Sequence, residues 1–400
     1  MENKTATVAL AGIRVLDLGN FMAGPMAAMW LGDFGADVIK VEHPRGDGVR
    51  QWGRTKKGDP LYWKMLSRNK RCITLNLGSP EGQELLRRLV AKSDVLIENF
   101  TPGTMRKWNV GYEQLNEVNP RLVMLSISAY GQTGPYSLRP GFGTLAEAMS
   151  GFAFINGQAE GPPTLPSFGL ADGIAGLNGA FGVLAALRFR DLQGVGQHVD
   201  STLYEPLLTV LGPQVVEYDQ LGVVQKRLGS RLPFSAPRNV YMTKDEKWLS
   251  MSSSAQSVFE RTMHAIGKPE LIGDKRFLDN RTRGINVDAL DMEIGEWCRR
   301  HTMEEAMKVL VMHEAAAAPV YSVEDVVADA HFNTRGSIVA VEDANLGPVK
   351  MQAPFPLLSR SPGKIRTTGP ALGEHNREVY RELLDLDEAE LARLKRAAVI

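Results

Sequence analysis

The sequence predicts an α/β protein in which helices cover both faces of a parallel β-sheet. Short apolar runs alternate with helical segments through the first half of the chain, and this alternation is typical of parallel sheets. The chain has 400 residues, more than one hydrophobic core ordinarily holds, so two domains are expected. The pattern of the sequence changes after about Gly222, where a hairpin and several amphipathic helices replace the alternating strands and helices.

The alternation begins with an apolar strand over residues 13–18 and a helix over 23–34 that is rich in small residues and ends at Gly35. Further strands are predicted over residues 37–41, 72–77, 94–97 and 122–127.

Between these strands, Ser79 is the expected N-cap of an amphipathic helix over residues 82–92, with Pro80 in its first turn. Later elements are a Gly/Pro loop, a glycine- and alanine-rich helix, a hairpin, a strand-like segment and a charged helix. They span residues 135–143, 171–190, 239–251, 337–358 and 379–398.

Charge and composition exclude several classes of protein. Lysine plus arginine balances aspartate plus glutamate at 46 each, so no general attraction to nucleic acid or anionic membrane is expected. Cys72 and Cys298 are the only cysteines, too few for a disulfide framework or a cysteine-rich metal site. Residues 1–8 lack the apolar core of a signal peptide, and no apolar stretch is expected to span a bilayer. The expected location is therefore cytoplasmic.

Motifs for bound cofactors are weak. Residues 141–146 fit G-x-G-x-x-A, but a proline-containing loop separates them from the preceding strand, and a dinucleotide site needs that strand directly before it. The seven histidines form no pair with metal-ligand spacing beside a carboxylate, and neither a P-loop nor a G-x-S-x-G elbow occurs. No permanently bound cofactor or metal is expected.

Three segments could carry chemistry, each with a plainer alternative. Basic residues cluster on the early loops, either as solvated loop charge or as a phosphate site: Arg45, Arg50, Arg54, Lys56, Lys57, Arg68, Lys70 and Arg71. Residues 99–103 follow a strand, so Phe100 is either an ordinary loop residue or part of a ligand site beyond the carboxyl ends of the strands. Asp172 lies among small residues at a loop-to-helix junction, either as a helix N-cap or as a nucleophile with glycine amides nearby for an oxyanion.

A set of motifs along nearly the whole chain resembles one known family. The motifs are LAGIRVLD at 10–17, AGP at 23–25, GADVIKVE at 35–42, NKR at 69–71, ENF at 98–100 with PG at 102–103, NPR at 119–121, AD at 171–172, APF at 353–355 and LGEH at 372–375. Together they are similar to the family III CoA-transferases, the CaiB/BaiF family.

The resemblance implies a Rossmann-like large domain with a smaller α+β domain inserted into it, in an interlocked homodimer. The large domain would comprise residues 1–222 and 331–400, and the small domain residues 223–330. Acyl-CoA and a small carboxylic acid would be the substrates, and Asp172 the nucleophile that forms an aspartyl-CoA thioester. The implied CoA-binding residues are Met22, Ala23, His43, Arg71, Leu75, Asn76, Asn99, Phe100, Thr101, Lys107 and Arg139.

The chain departs from the family pattern at three places. Lys107 stands where arginine is common, which keeps a phosphate-binding charge but loses a bidentate fork. The glycine-rich loop that covers the nucleophile of oxalate-using members has no counterpart around residues 229–237, so oxalate is not expected as the acceptor. Gly143 stands where those members carry a glutamate, which implies a different acyl pocket.

Two rival functions remain open at this point. An acyl-CoA racemase or isomerase on the same fold needs a base pair, usually with histidine, and no histidine lies between His43 and His198. A non-catalytic acyl-CoA-binding protein would bind CoA without exchanging acids, and the presence of Asp172 argues against it.

Overall fold

The computed structural model describes residues 8–400, so the prediction about residues 1–8 falls almost wholly outside it. It contains these strands in chain order: β1 (Arg14–Asp17), β2 (Asp37–Glu42), β3 (Thr55–Lys56), β4 (Asp59–Pro60), β5 (Lys70–Thr74), β6 (Val95–Glu98), β7 (Val123–Ser128), β8 (His198–Thr202), β9 (Arg238–Met242), β10 (Trp248–Ser252), β11 (Ala317–Pro319), β12 (Ile338–Asp343) and β13 (Gly347–Gln352).

The α-helices of the same described residues are, in chain order, α1 (Ala23–Asp33), α2 (Leu61–Leu66), α3 (Pro80–Val90), α4 (Thr104–Lys107), α5 (Tyr112–Val118), α6 (Gly143–Met149), α7 (Phe152–Ile155), α8 (Leu170–Gln193), α9 (Glu205–Val210), α10 (Gln214–Leu221), α11 (Gln256–Ala265), α12 (Asn280–Ile285), α13 (Val287–Arg300), α14 (Met303–Met312), α15 (Val323–Ala328), α16 (Ala330–Thr334), α17 (Asn376–Leu384) and α18 (Glu388–Arg396).

The chain divides into two compact units. Unit 1 comprises residues 1–152, 165–213 and 331–400, and unit 2 comprises residues 153–164 and 214–330. The C-terminal segment therefore rejoins the first half of the chain, while unit 2 combines residues 214–330 with the earlier short segment 153–164.

Unit 1 is built on a six-stranded sheet with the order β5-β2-β1-β6-β7-β8. Every neighbouring pair in it is parallel. Numbered along the chain, these strands run 3-2-1-4-5-6, the order of the Rossmann fold. The direction in which strands are added reverses between β1 and β6, which creates a topological switch point there. The predicted Rossmann-like α/β class is confirmed.

Alternating side chains of the sheet strands point to two separate cores. On one face Leu16, Leu96 and Met124 pack with apolar residues of α3, α5, α17 and α18. On the other face Val15 and Val95 pack with small residues of α1 and α8. This period of two lets each strand bury both faces, as the continuous apolar runs of the sequence predict.

The predicted helix after β5 is confirmed in detail. The Oγ atom of Ser79 accepts a hydrogen bond from the N–H of Gly82, and Pro80 occupies the first turn. The C-terminal helices complete the same face of the sheet: the hydroxyl of Tyr380 donates to the carbonyl of Thr74 at the end of β5 over 2.8 Å. Residues far apart in sequence thus form one core.

Helix α8 corrects one prediction. The helix of 24 residues is long and apolar enough to cross a membrane by length and composition, although no such stretch is expected from the sequence. Its inner face carries small residues, including Ala171, Ala175 and Gly179, which are buried against α1 and the sheet. Its outer face exposes further apolar side chains, among them Leu177, Phe181 and Leu184, so a core helix of unit 1 here has the length and apolar content of a membrane span.

Unit 2 has its own core. Its antiparallel sheet has the order β11-β10-β9, and the predicted hairpin of β9 and β10 is confirmed with Leu249 opposite Tyr241. Helices α11, α13 and α14 supply apolar side chains that pack with this sheet, among them Phe259, Ile294 and Leu310. The mixture of helices with an antiparallel sheet is the α+β arrangement expected for the smaller domain.

Candidate active site

A cavity of about 300 Å³ lies in unit 1 at the switch point of the sheet. The loops that follow β1 and β6 diverge here, and ligands of open α/β sheets bind in this position. Its lining residues are Asn20, Phe21, Met22, Ala23, Asn99, Phe100, Thr101, Ile127, Ser128, Ala129, Pro140, Gly141, Phe142, Asp172 and Leu203. The structure thus brings Asp172 together with five residues predicted to bind CoA: Met22, Ala23, Asn99, Phe100 and Thr101.

The two loops at the switch point are joined by a reciprocal pair of hydrogen bonds. The N–H of Asn20 donates to Oδ1 of Asn99 over 2.7 Å, and Nδ2 of Asn99 donates to the carbonyl of Asn20 over 2.8 Å. Because the oxygen and the nitrogen of the Asn99 side-chain amide are both bonded to Asn20, Asn99 shapes the cavity by fixing the loop that follows β1.

A buried ion pair fixes the same loop from the other side. Oδ1 of Asp47 accepts from the N–H of Phe21, a residue with a left-handed φ of 58°, and Nζ of Lys40 lies 3.0 Å from Oδ2 of Asp47. The hydrogen bond to Asp47 therefore holds Phe21 in a backbone conformation that L-residues rarely adopt.

Asp172 occupies the first turn of α8, and the alternative that it is the N-cap is wrong. The N-cap is Gly169, which provides no side-chain cap, and the Asp172 carboxyl group faces the cavity. The N–H of Gly173 donates to the carbonyl of Gly169 over 3.0 Å within the helix, so this glycine amide is not available to an oxyanion.

The environment of Asp172 opposes its charge. Burial and then the negative charge of Glu147 raise the pKa of Asp172 to about 6. Among the described residues that line the cavity, Asp172 is the one charged side chain, and none is a histidine. A carboxylate without a counter-ion in such a place is more basic and more nucleophilic than an exposed one.

Two residues of α6 approach Asp172. A Cβ atom added to Gly143 would overlap Oδ2 of Asp172, so the carboxylate packs directly on this glycine. One turn along the helix, Oε1 of the buried Glu147 accepts a hydrogen bond from the N–H of Ala171 over 3.1 Å. A side chain at position 143 would therefore displace the Asp172 carboxylate from its present position.

Residues 10–376 match the family model described as CoA-transferase family III. The chain belongs to CoA-transferase family III. It is 42% identical over 393 residues to the succinyl-CoA–D-citramalate CoA-transferase of Chloroflexus aurantiacus, covering 98% of each chain. It is 34% identical to the succinate–glutarate CoA-transferase of Agrobacterium fabrum, covering 94% of this chain and 95% of that one. The crystal structure of a CAIB/BAIF family protein from Brucella suis matches it with a TM-score of 0.84 at 32% identity, covering 94% of this chain and 100% of that one.

This family III CoA-transferase places some predicted CoA-binding residues near the rim of the sheet's carboxyl edge. His43 follows β2 and is exposed, with Nδ1 accepting from the N–H of Arg45. Lys107 ends α4 and is exposed. The guanidinium of Arg139 lies 3.7 Å from the centre of the Tyr136 ring, in the loop that leads to Pro140 of the cavity. None of the three lines the cavity as described, and their contacts with CoA stay predictions.

The other three predicted residues lie elsewhere on strand β5 and just after it. Arg71 lies near the amino end of the strand and forms salt bridges with Asp37, Glu378 and Glu382. It lines a separate cavity of about 430 Å³. Leu75 is buried in the core, and Asn76 donates its N–H to the carbonyl of Val399. The structure does not bring these side chains to the Asp172 cavity.

Sequence reasoning missed two titratable neighbours of the nucleophile candidate in this CoA-transferase. Burial and then the charge of Asp172 raise the pKa of Tyr62 on α2. Glu147 is the single charged residue of the otherwise small and apolar helix α6. A lone carboxylate in such a helix was the available signal for Glu147, whereas nothing in the sequence near Tyr62 points to Asp172.

Proposed function

We propose that this enzyme transfers CoA from succinyl-CoA to a small dicarboxylic acid through an aspartyl-CoA thioester on Asp172. The observation that carries the proposal is the isolated, partly desolvated carboxylate of Asp172 at the switch-point cavity of unit 1. The relatives support the substrate class, because the names of two of them pair succinyl-CoA or succinate with citramalate or glutarate.

The reaction is a series of acyl exchanges that needs no ATP, because the products contain the same kinds of bond as the reactants. The Asp172 carboxylate attacks the thioester carbonyl of succinyl-CoA, which forms a mixed anhydride and releases the CoA thiolate. The thiolate then attacks the aspartyl carbonyl, which forms aspartyl-CoA and releases succinate. The acceptor carboxylate attacks aspartyl-CoA, and the same two steps in reverse give the new acyl-CoA and regenerate Asp172.

The surroundings of Asp172 suit these steps. Both the anhydride and the thioester are hydrolysed by water, and the apolar side chains of Met22 and Phe142 line the cavity around the carboxylate. The loop of residues 99–101 borders the same cavity, so CoA bound along it would bring its thioester toward Asp172. Lys107, at the end of the next helix, would attract a CoA phosphate.

Isotope transfer tests the covalent route. With succinyl-CoA and an acceptor acid labelled with ¹⁸O in its carboxylate, the bridging anhydride oxygen stays on Asp172, so the peptide containing Asp172 gains ¹⁸O. New acyl-CoA measured by mass spectrometry across citramalate, malate, glutarate and oxalate identifies the acceptor. Transfer that leaves Asp172 unlabelled would refute the aspartyl mechanism, and CoA binding without any transfer would favour the non-catalytic alternative.

The rival racemase chemistry has less support. Racemisation needs a base pair, usually with histidine, and among the described residues that line the cavity Asp172 is the one charged side chain and none is a histidine. Incubation of a chiral 2-methylacyl-CoA in deuterated water gives the comparison. Deuterium incorporation without CoA transfer would replace the proposal with the isomerase function.

We further propose that the enzyme works in the cytoplasm as an interlocked homodimer. The exposed face of α8 supports a partner, because Leu177, Phe181, Leu184 and Leu192 recur along one side of the helix and Phe181 is 70% exposed. Interlocked subunits cannot separate without partial unfolding, so tagged and untagged enzyme, once mixed, should exchange subunits very slowly. Rapid formation of mixed dimers would exclude interlocking.

A further inference from the structure

Glu147 is a buried carboxylate whose structural contact does not need its charge. Its residue is 3% exposed, and the only hydrogen bond of its side chain within the described residues is the one that Oε1 accepts from the N–H of Ala171 over 3.1 Å. No lysine, arginine or histidine forms a salt bridge with it in residues 8–400. The amide oxygen of a glutamine could accept the same bond, yet the chain places a second negative charge beside Asp172.

A carboxylate buried without a cation costs folding free energy, so its retention calls for another explanation. The bond to Ala171 links the middle of α6 to the first turn of α8, one residue before the nucleophile. Glu147 therefore lies at a fixed position relative to Asp172, and its negative charge disfavours the ionised form of Asp172.

The chemistry proposed for Asp172 removes the negative charge of its carboxylate. Before the reaction Asp172 is a carboxylate; after thiolate attack on the anhydride it is a neutral thioester, and the negative charge has left with the donor acid. The repulsion between Glu147 and Asp172 exists in the free enzyme and disappears in the aspartyl intermediates. The carboxylate already loses part of its charge in the transition state of its attack, so a repulsion that raises the energy of the free carboxylate more than that of this transition state accelerates the step.

We propose that Glu147 is a positioning residue that activates Asp172, by holding the first turn of α8 through Ala171 and by repelling the nucleophile's charge until that charge is lost in the covalent intermediate. This inference rests on the function proposed above.

The test compares Glu147→Gln, Glu147→Asp and Glu117→Gln with the wild type. Glutamine keeps an acceptor for Ala171 and removes the charge, aspartate keeps the charge on a shorter side chain, and Glu117 is an exposed residue of α5 that receives the same substitution as a control. The readouts are kcat/KM from about pH 5 to pH 8.5 and the yield of hydroxamate on the Asp172 peptide when hydroxylamine traps the acylated enzyme.

We expect Glu147→Gln to lower kcat/KM about tenfold at the alkaline end and to move the acid limb to lower pH, so that the ratio of variant to wild-type rate rises as the pH falls. The trapped fraction should fall with it. The titratable groups set against Asp172 are Glu147 from α6 and Tyr62 from α2, and the other residues lining its cavity are uncharged, so the limb reports the ionisation of Asp172.

A constant rate ratio at every pH would show a purely structural role and overturn the inference, as would a Glu147→Gln variant identical to the wild type. Should glutamine unfold the protein, Glu147→Asp decides the matter: it should keep the wild-type acid limb, and a limb shifted to lower pH would refute the charge effect. Failure of the underlying function is seen separately, as wild-type enzyme that forms no hydroxamate or as an Asp172→Asn variant that still transfers CoA.

Discussion

Replacing Asp172 by asparagine should abolish catalysis and make the protein more stable at neutral pH. The carboxyl group titrates at 3.8 ordinarily and at about 6 in the folded protein, because burial and the charge of Glu147 oppose ionisation. The folded state thus holds the proton more tightly than the unfolded chain. Stability from this group is complete below about pH 3.8 and is lost as the pH rises through 6, which amounts to about 3 kcal/mol by pH 8 at 1.36 kcal/mol per pKa unit.

The asparagine variant has no such loss. Its amide adds a packing or hydrogen-bonding cost that is independent of pH, so the informative quantity is how the stability difference between variant and wild type changes with pH. From about pH 4 to pH 8 that difference should grow by about 2.5 kcal/mol in favour of the variant. CoA transfer should fall at least about a thousandfold, or roughly 4 kcal/mol of barrier.

Urea unfolding at several pH values measures the stability difference, with Glu117→Gln as a control that removes an exposed carboxylate of the same unit. The control should show little change with pH relative to the wild type. A carboxylate that capped the helix would instead have a lowered pKa, so the difference would change with pH in the opposite direction and activity would be retained. Either a flat difference across this range or an active asparagine variant would refute the reasoning.

Three further predictions concern the cavity and the proposed CoA site. Gly143→Ala should lower transfer about a hundredfold, because its methyl group overlaps the Asp172 carboxylate. Gly173→Ala is the control and should retain activity, because its Cβ would meet Met26 Cε only at 3.9 Å. Steady-state rates of CoA transfer by both variants test this. Calorimetry should show weaker CoA binding for Lys107→Ala, together with a shallower dependence of the affinity on salt. Phe100→Ala should also bind CoA more weakly, and it loses the edge-on ring contact with Trp108. Unchanged affinity in both variants would remove this loop from the CoA site. Wild-type kcat/KM should rise with pH through about 6 as Asp172 ionises, and a profile without this limb would contradict the raised pKa.

Much of the local structure was predictable because it depends on neighbours in the chain. The apolar runs became strands of the parallel sheet, and Ser79 with Pro80 began α3 as their capping chemistry requires. The C-terminal region was predicted less well: residues 379–398 form two helices, α17 and α18, separated at Asp385 by a left-handed turn. An aspartate in that conformation is uncommon enough that the sequence pattern alone indicates one continuous helix.

The candidate active site was likewise predictable only in part. The resemblance of the motifs to family III CoA-transferases pointed to Asp172 and to the loop of residues 99–101, and the structure brings both to one cavity. It also assigns Asn99 to the support of the preceding loop and Arg71 to a cluster of ion pairs at the opposite end of β5. Side-chain direction decides such roles, and a sequence does not specify it.

By itself, the sequence determined the α/β class, the positions of most elements in the first half of the chain and, through the resemblance, the identity of the nucleophile candidate. Periodicity and capping are local, so they can be read along the chain. Only the tertiary structure decided that β1 and β6 are neighbours at the switch point, that Gly143 touches Asp172 and that Glu147 opposes its charge. Those relations depend on long-range packing. Burial raises the pKa of Asp172 only once the folded chain has excluded water from the site.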